Sequence, residues 1–185
     1  MRPISEPIAG SGRADRLLTE AEIAAVLDRG LAPLPLENAS VTVLIPDGTR
    51  TAPIPMMFRL LNDRLAPRVR QLRYLIALGT HAPMTEPAIE RLVGASAEER
   101  AHRWPNVEVH NHLWDNAATF MEVGRLSADE IERISEGRLR LEVPVRVNRL
   151  AVECDHVLIC GPVFPHEVVG FSGGSKYFFP GIGGP

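Results

Sequence analysis

The chain has 185 residues, enough for one domain with a real core, and 45% of them are hydrophobic, an ordinary share for a globular protein. A formal net charge of -3 and a pI near 6.1 argue against a general nucleic-acid binder. No apolar run approaches the roughly 20 residues needed to span a bilayer, and Arg2 is followed by no apolar core, so neither a membrane span nor a secretory signal is expected and the cytoplasm is the default location.

Residues 1–40 read as a lead-in with one short helix. The first 18 are polar, with Gly, Ser and Pro, and are expected to be loosely ordered. Thr19-Glu-Ala-Glu22 is a capping box, Ile23 to Leu27 continue as a helix, and Gly30 is expected to end it. Residues 41–185 read as an α/β domain. Val41-Thr-Val-Leu-Ile-Pro46 is a buried strand that delivers Asp47-Gly48-Thr49-Arg50 at its carboxyl end. Thr51 is placed to cap the next helix, with Pro53 in its first turn. Arg73 to Leu78 form a second strand ending in Gly79-Thr80-His81-Ala-Pro83, and Thr85 caps a helix through Val93. Ser96 caps a short helix, Val107 to His110 and Thr119 to Leu126 read as strands, and Ser127 caps a helix ended by Gly137. Glu142 to Val147 is an edge strand, because it contains Pro144. A helical turn over Leu150 to Glu153 leads into a strand, His156 to Cys160. Cys154 and Cys160 read as buried thiols rather than a disulfide.

Strand, polar loop and helix in repetition give an α/β fold with a mostly parallel sheet and flanking helices. Ligands of such sheets bind outside the carboxyl ends of the strands. Asp47, Arg50, His81, His166 and Lys176 all fall in loops of that kind, which points to a single site. Gly173-Gly174 opens backbone N–H groups to an anion, and Lys176 adds a cation beside them. The phosphate-loop pattern is nearly met from Gly170 but fails twice, with Ser175 in place of a glycine and Tyr177 in place of the magnesium-binding hydroxyl. Asp47 and Arg50 admit two readings. They form a capped turn with a surface ion pair, or Arg50 forks onto a carboxylate while Asp47 orients Arg50 or a neighbouring histidine. His110 and His112 would share a strand face as a metal pair, but no third ligand is near in sequence.

Pro165-His166 followed by Gly170-Phe-Ser-Gly-Gly-Ser-Lys176 and Pro180-Gly181 resembles the N-terminal-domain signature of the nickel-dependent lactate racemase family. Asp47-Gly-Thr-Arg50 resembles that family's D-x-T-R motif, and Gly79-Thr-His-Ala-Pro83 its G-T-H-x-P motif. The likeness runs from about Val41 onward and implies a Rossmann-like domain of a racemase or epimerase of 2-hydroxy acids. It implies a nickel-pincer nucleotide, a pyridinium mononucleotide with sulfur donors to nickel, attached through Lys176 with Ser172, Gly173 and Gly174 around it. His81 and His166 match the two bases that serve opposite enantiomers, and His112 matches a segment that shapes the pocket. The substrate would be lactate or another small 2-hydroxy acid, and the enzymes that build the cofactor would be partners.

The chain stops at Gly181-Ile-Gly-Gly-Pro185, directly after this motif. The expectation is a truncated N-terminal domain, with the nickel-binding histidine beyond Pro185. No metal ligand is assigned within the chain. Alone it would be without nickel or turnover, and exposed apolar surface would favour a homo-oligomer. Two readings of other classes stand beside this one. One is a non-catalytic anion-binding module built on Gly173, Gly174 and Lys176; the other is a nucleotide-dependent transferase using the same loop.

Overall fold

The computed structural model describes residues 9–167 and 170–184. Helix α1 (Glu20–Leu31) starts at the predicted capping box, with the Glu22 N–H donating to Thr19 Oγ1 at 3.3 Å and Glu22 accepting from the Thr19 N–H at 2.8 Å. It runs past Gly30 and closes on Ala32. A glycine ends a helix by taking a left-handed conformation, and Gly30 does not take one, while burial of Leu31 holds the last turn in place. Strand β1 (Ser40–Ile45) is buried at every position. Helix α2 (Ile54–Leu65) begins at Pro53 with no side-chain cap, so Thr51 does not cap it. The N-cap position falls two residues later, at Pro53, and the Ile54 N–H donates to Ala52 O at 2.8 Å.

Strand β2 (Gln71–Ile76) leads to α3 (Glu86–Val93), closed by Gly94 at φ 71°, and then to α4 (Ala97–Arg103), capped by Ser96. Strands β3 (Val107–Asn111) and β4 (Phe120–Leu126), helix α5 (Ala128–Ile134) with a second capping box, and strands β5 (Val143–Asn148) and β6 (His156–Ile159) follow. A hairpin of β7 (Phe164–His166) and β8 (Gly170–Ser172) comes next, then a 3₁₀ turn over Gly174–Tyr177. Among the described residues no helix is long and apolar enough to cross a membrane.

The main sheet has the order β3-β2-β1-β6, and every pairing in it is parallel. Side chains alternate across it with the two-residue period of a strand. Val41, Val43 and Ile45 of β1, with Leu72, Tyr74 and Ile76 of β2, pack against Phe58, Leu61 and Leu65 of α2 and Ile89 and Val93 of α3. Leu44 and Leu75 face the other way, onto Val147, Tyr177 and Ile182. The α/β fold with its parallel sheet and flanking helices is therefore the one expected from the strand–loop–helix rhythm. The middle of the chain departs from that rhythm. β4 and β5 leave the main sheet and form their own antiparallel pair, with a register shift between Glu122 and Gly124. In a two-stranded sheet each strand is an edge, which suits Pro144 in β5.

The first core is centred on Phe58, whose ring lies 4.6 Å from Tyr74 and edge-on to Trp104 at 5.7 Å. The Tyr74 hydroxyl, fully buried, donates to Asn62 Oδ1 at 2.7 Å. Tyr74→Phe would leave that buried acceptor unpaired. The expected loss is about 1–3 kcal/mol, read as a lower urea midpoint with an unchanged slope.

The segment after β8 is stitched to the rest of the fold by its backbone. Gly79 N–H donates to Gly181 O at 2.9 Å, Asn148 N–H to Ile182 O at 2.9 Å, and Gly184 N–H to Arg146 O at 3.0 Å. Beneath it His112 is fully buried, with Nδ1 accepting from Asn148 Nδ2 at 3.2 Å and the ring edge-on to Phe120. Burial pushes the His112 pKa down, against a smaller upward pull from the Gly183 backbone, so a neutral imidazole is favoured.

Candidate functional site

The carboxyl ends of β1, β2 and β6 converge on one cleft. The chain runs outward from β1 through β2 to β3 and then returns to place β6 on the other side of β1, so the strand order reverses beside β1, the arrangement at which open α/β sheets bind ligands. β1 contributes Pro46, Asp47, Thr49 and Arg50, and β2 contributes Ala77 to His81. The chain after β6 contributes Pro162, Ser172, Gly173, Lys176, Tyr177 and the Pro180-Gly181 return. The cleft measures about 250 Å³.

Asp47 is its most constrained side chain. Oδ1 accepts from the Thr49 hydroxyl at 2.5 Å and from the Thr49 N–H at 3.1 Å, and Oδ2 meets His81 Nδ1 at 2.6 Å. Burial pushes the Asp47 pKa up. The Thr49 hydroxyl, His81 and the Thr49 N–H together outweigh that and hold it below its ordinary 3.8. An ionised carboxylate at Nδ1 fixes the proton there and leaves Nε2 as the nitrogen open to a ligand. The His81 side chain is 61% exposed, whereas that of Asp47 is only 12% exposed. The sequence left open whether Asp47 would orient Arg50 or a histidine; the structure pairs it with His81, from the next strand.

Arg50 and Lys176 line the same cleft, and among the described residues neither side chain makes a hydrogen bond or an ion pair. Two such cations on one concave wall suit an anion. Gly173 takes φ +81°, and a Cβ there would stand 2.2 Å from the Pro162 carbonyl oxygen, so only glycine fits. Ser172 is buried in the wall and its hydroxyl donates to Phe164 O at 3.4 Å. Gly174, at φ +53°, lies outside the cleft lining among the described residues and serves the turn that carries Lys176. A nucleotide phosphate loop opens an α-helix at this point; here there is a single 3₁₀ turn.

His166 is placed differently from the other four. It sits in β7 opposite Gly170, with Nδ1 3.8 Å from Glu167 Oε2, and is not among the described residues that line the cleft. His110 bonds Glu108 at 2.9 Å while His112 is buried behind the sheet, so the two do not form a metal pair. Among the described residues no group of three or more His, Cys, Asp or Glu is arranged to hold a metal ion. Both cysteines are free. Sequence reasoning missed two members of the site. Thr49 was read only as part of a motif, although its hydroxyl anchors Asp47. Tyr177 was read only as a mismatch to a phosphate loop, although it forms a wall of the cleft.

Residues 18–185 match the family model described as the lactate racemase N-terminal domain. The chain belongs to the lactate racemase family. It is 30% identical over 146 residues to the lactate racemase of Lactiplantibacillus plantarum, and 28% identical over 145 residues to that of Thermoanaerobacterium thermosaccharolyticum. In each case the match covers 77% of this chain and 30% of the relative, so the chain spans about a third of the length of the curated relatives it matches. A crystal structure of a Thermotoga maritima protein superposes with a TM-score of 0.76 at 33% identity, covering 90% of this chain and 39% of that one. The lactate racemase apoprotein from T. thermosaccharolyticum shares the fold, with a TM-score of 0.62 at 24% identity over 80% of this chain and 32% of that one. The family resemblance drawn from the Asp47, His81 and Lys176 motifs is thereby borne out, as is the fold it implied.

Proposed function

We propose that the cleft is the proton-transfer and anchoring half of a racemase or epimerase site for a small 2-hydroxy acid, lactate being the first candidate. The observation that carries this is the Asp47–His81 pair standing beside Arg50 and Lys176, which make no hydrogen bond or ion pair among the described residues, on one wall. Arg50 forks onto the substrate carboxylate. His81 Nε2 accepts the hydroxyl proton, Asp47 stabilises the imidazolium that forms, and the proton returns to the oxygen after the carbon has become planar. Loss of configuration follows from that planarity, because a hydride that has left the carbon can be returned to either of the keto acid's two enantiotopic faces.

The residues present fit the nickel-pincer nucleotide that the family resemblance implies. The Lys176 amine lines the cleft without a hydrogen bond or ion pair among the described residues, placed to take a covalent attachment, and Ser172 with the Gly173 backbone flanks it. Any metal would draw its donors largely from the group itself, given the scarcity of clustered ligands among the described residues. When bound, such a group would supply the hydride acceptor and donor that epimerisation at a carbinol carbon requires. His166, matched by motif to the second base, would reach the opposite face of the substrate if the β7–β8 hairpin moves toward the cleft. The enzymes that assemble the cofactor are the expected partners, and the cytoplasm the expected location.

The test is a chiral assay on the full-length protein made alongside the cofactor-building enzymes. L-lactate is expected to drift to the racemate, with nickel bound in stoichiometric amount. Nickel-loaded protein that leaves lactate and related hydroxy acids optically pure would overturn the reading.

A further inference from the structure

Tyr177 belongs to none of the motifs quoted above, yet it forms part of the cleft. Its ring is 7% exposed and packs with Leu44, Leu75 and Ile182. Its hydroxyl enters the crevice between the ends of β1 and β6. A Cβ on Gly161 would stand 1.7 Å from that oxygen and 3.3 Å from Pro46 Cδ, so the glycine after β6 makes room for the phenol. Among the described residues the hydroxyl makes no hydrogen bond. The ring is packed into the fold while the hydroxyl opens onto the cleft, so the phenol offers a donor to whatever occupies that space. Burial pushes the Tyr177 pKa up to about 12; a push from Cys160 adds to this, Arg50 pulls down and Asp47 up. The group remains a neutral donor at ordinary pH.

We propose that the Tyr177 phenol is a ligand-recognising group of the cleft, donating its proton to an oxygen of the small hydroxy-carboxylate held by Arg50. This rests on the racemase reading of the same cleft and names the residue that completes its grip on the substrate. Arg50 covers one edge of the carboxylate, and a donor rising from the crevice floor meets an oxygen the guanidinium leaves open. The phenol then fixes which way the carbinol carbon faces.

The protein has two tyrosines, and the other, Tyr74, is fully buried and bonded to Asn62. Protein made with 3-fluorotyrosine should thus give two fluorine resonances, the Tyr177 signal being the one lost in Tyr177→Phe. On titration with L-lactate the Tyr177 resonance is expected to move while that of Tyr74 stays. Followed through the His81 imidazole signals, Tyr177→Phe is expected to bind lactate about tenfold more weakly, the usual worth of a hydrogen bond to a charged acceptor. Its melting temperature should be little changed, since the hydroxyl makes no hydrogen bond among the described residues, a split that a purely structural tyrosine would not show. If lactate moves the His81 signals but binds Tyr177→Phe as tightly as wild type, the Tyr177 role is overturned and the racemase reading stands. If Tyr177→Phe melts lower with its lactate affinity intact, the hydroxyl is structural and the proposal fails. If lactate moves neither residue, the hydroxy-acid reading itself falls, and the role of Tyr177 with it.

Discussion

Full-length protein carrying His81→Ala is expected to racemise lactate about 10²–10⁴-fold more slowly than wild type, the usual worth of a positioned general base. The side chain is 61% exposed, so its removal leaves no core cavity and the melting temperature should hold. Asp47→Asn separates the proton acceptor from its support. It keeps the shape of the turn but removes the charge opposite Nδ1, so the rate should fall between those of wild type and His81→Ala. Wild-type turnover in His81→Ala would reject the role. The acid side has a definite sign. The folded pKa of Asp47 is held below its ordinary 3.8, so the stability it contributes is fully present above that value and is lost as the pH falls through the lowered one. Acid should therefore loosen the Asp47–His81 contact.

Lys176→Arg is expected to abolish covalent attachment of the cofactor completely. The arginine keeps a cation in the cleft, but a guanidinium stays protonated at working pH and does not act as an amine nucleophile. Intact mass of protein produced with the cofactor pathway should show an adduct on wild type and none on the variant. An adduct of undiminished yield on Lys176→Arg would move the attachment point elsewhere in the chain.

The parts of this molecule governed by local chemistry were legible in the sequence. Val41 to Ile45 read as a buried strand because each position is apolar or small, and Thr19 with Glu22 read as a helix start because the box is closed within four residues. The placement of Asp47, Arg50, His81 and Lys176 at strand ends followed from the α/β rhythm, and the cleft brings those four together. What could not be read were choices made across the fold. Asp47 had two candidate partners, and the parallel register of β1 on β2, which sets Ile45 opposite Ile76, brings His81 to it. Thr51 looked like a cap, but the N-cap falls two residues later and the Ile54 N–H goes to Ala52 O. Tyr177 carried no motif, since its role depends on the missing side chain at Gly161, sixteen residues earlier in the chain. Strand pairing in the middle was likewise invisible, because β4 and β5 would suit an outer position in either sheet.

The Gly79-to-Gly181 hydrogen bond joins parts of the chain that are about a hundred residues apart, and β6 docks on β1 across a similar span. Contacts of that sequence separation carry the largest loop-closure cost and are made late in folding. The α2–α3 side of the sheet draws most of its core from residues before Trp104, so it can condense without them. The cleft cannot. The cleft is therefore expected to form late in folding, and thermal loosening of the segment after β6 would be expected to abolish ligand binding while most of the helix signal remained. A ligand titration would then report the completeness of folding more sharply than secondary structure does.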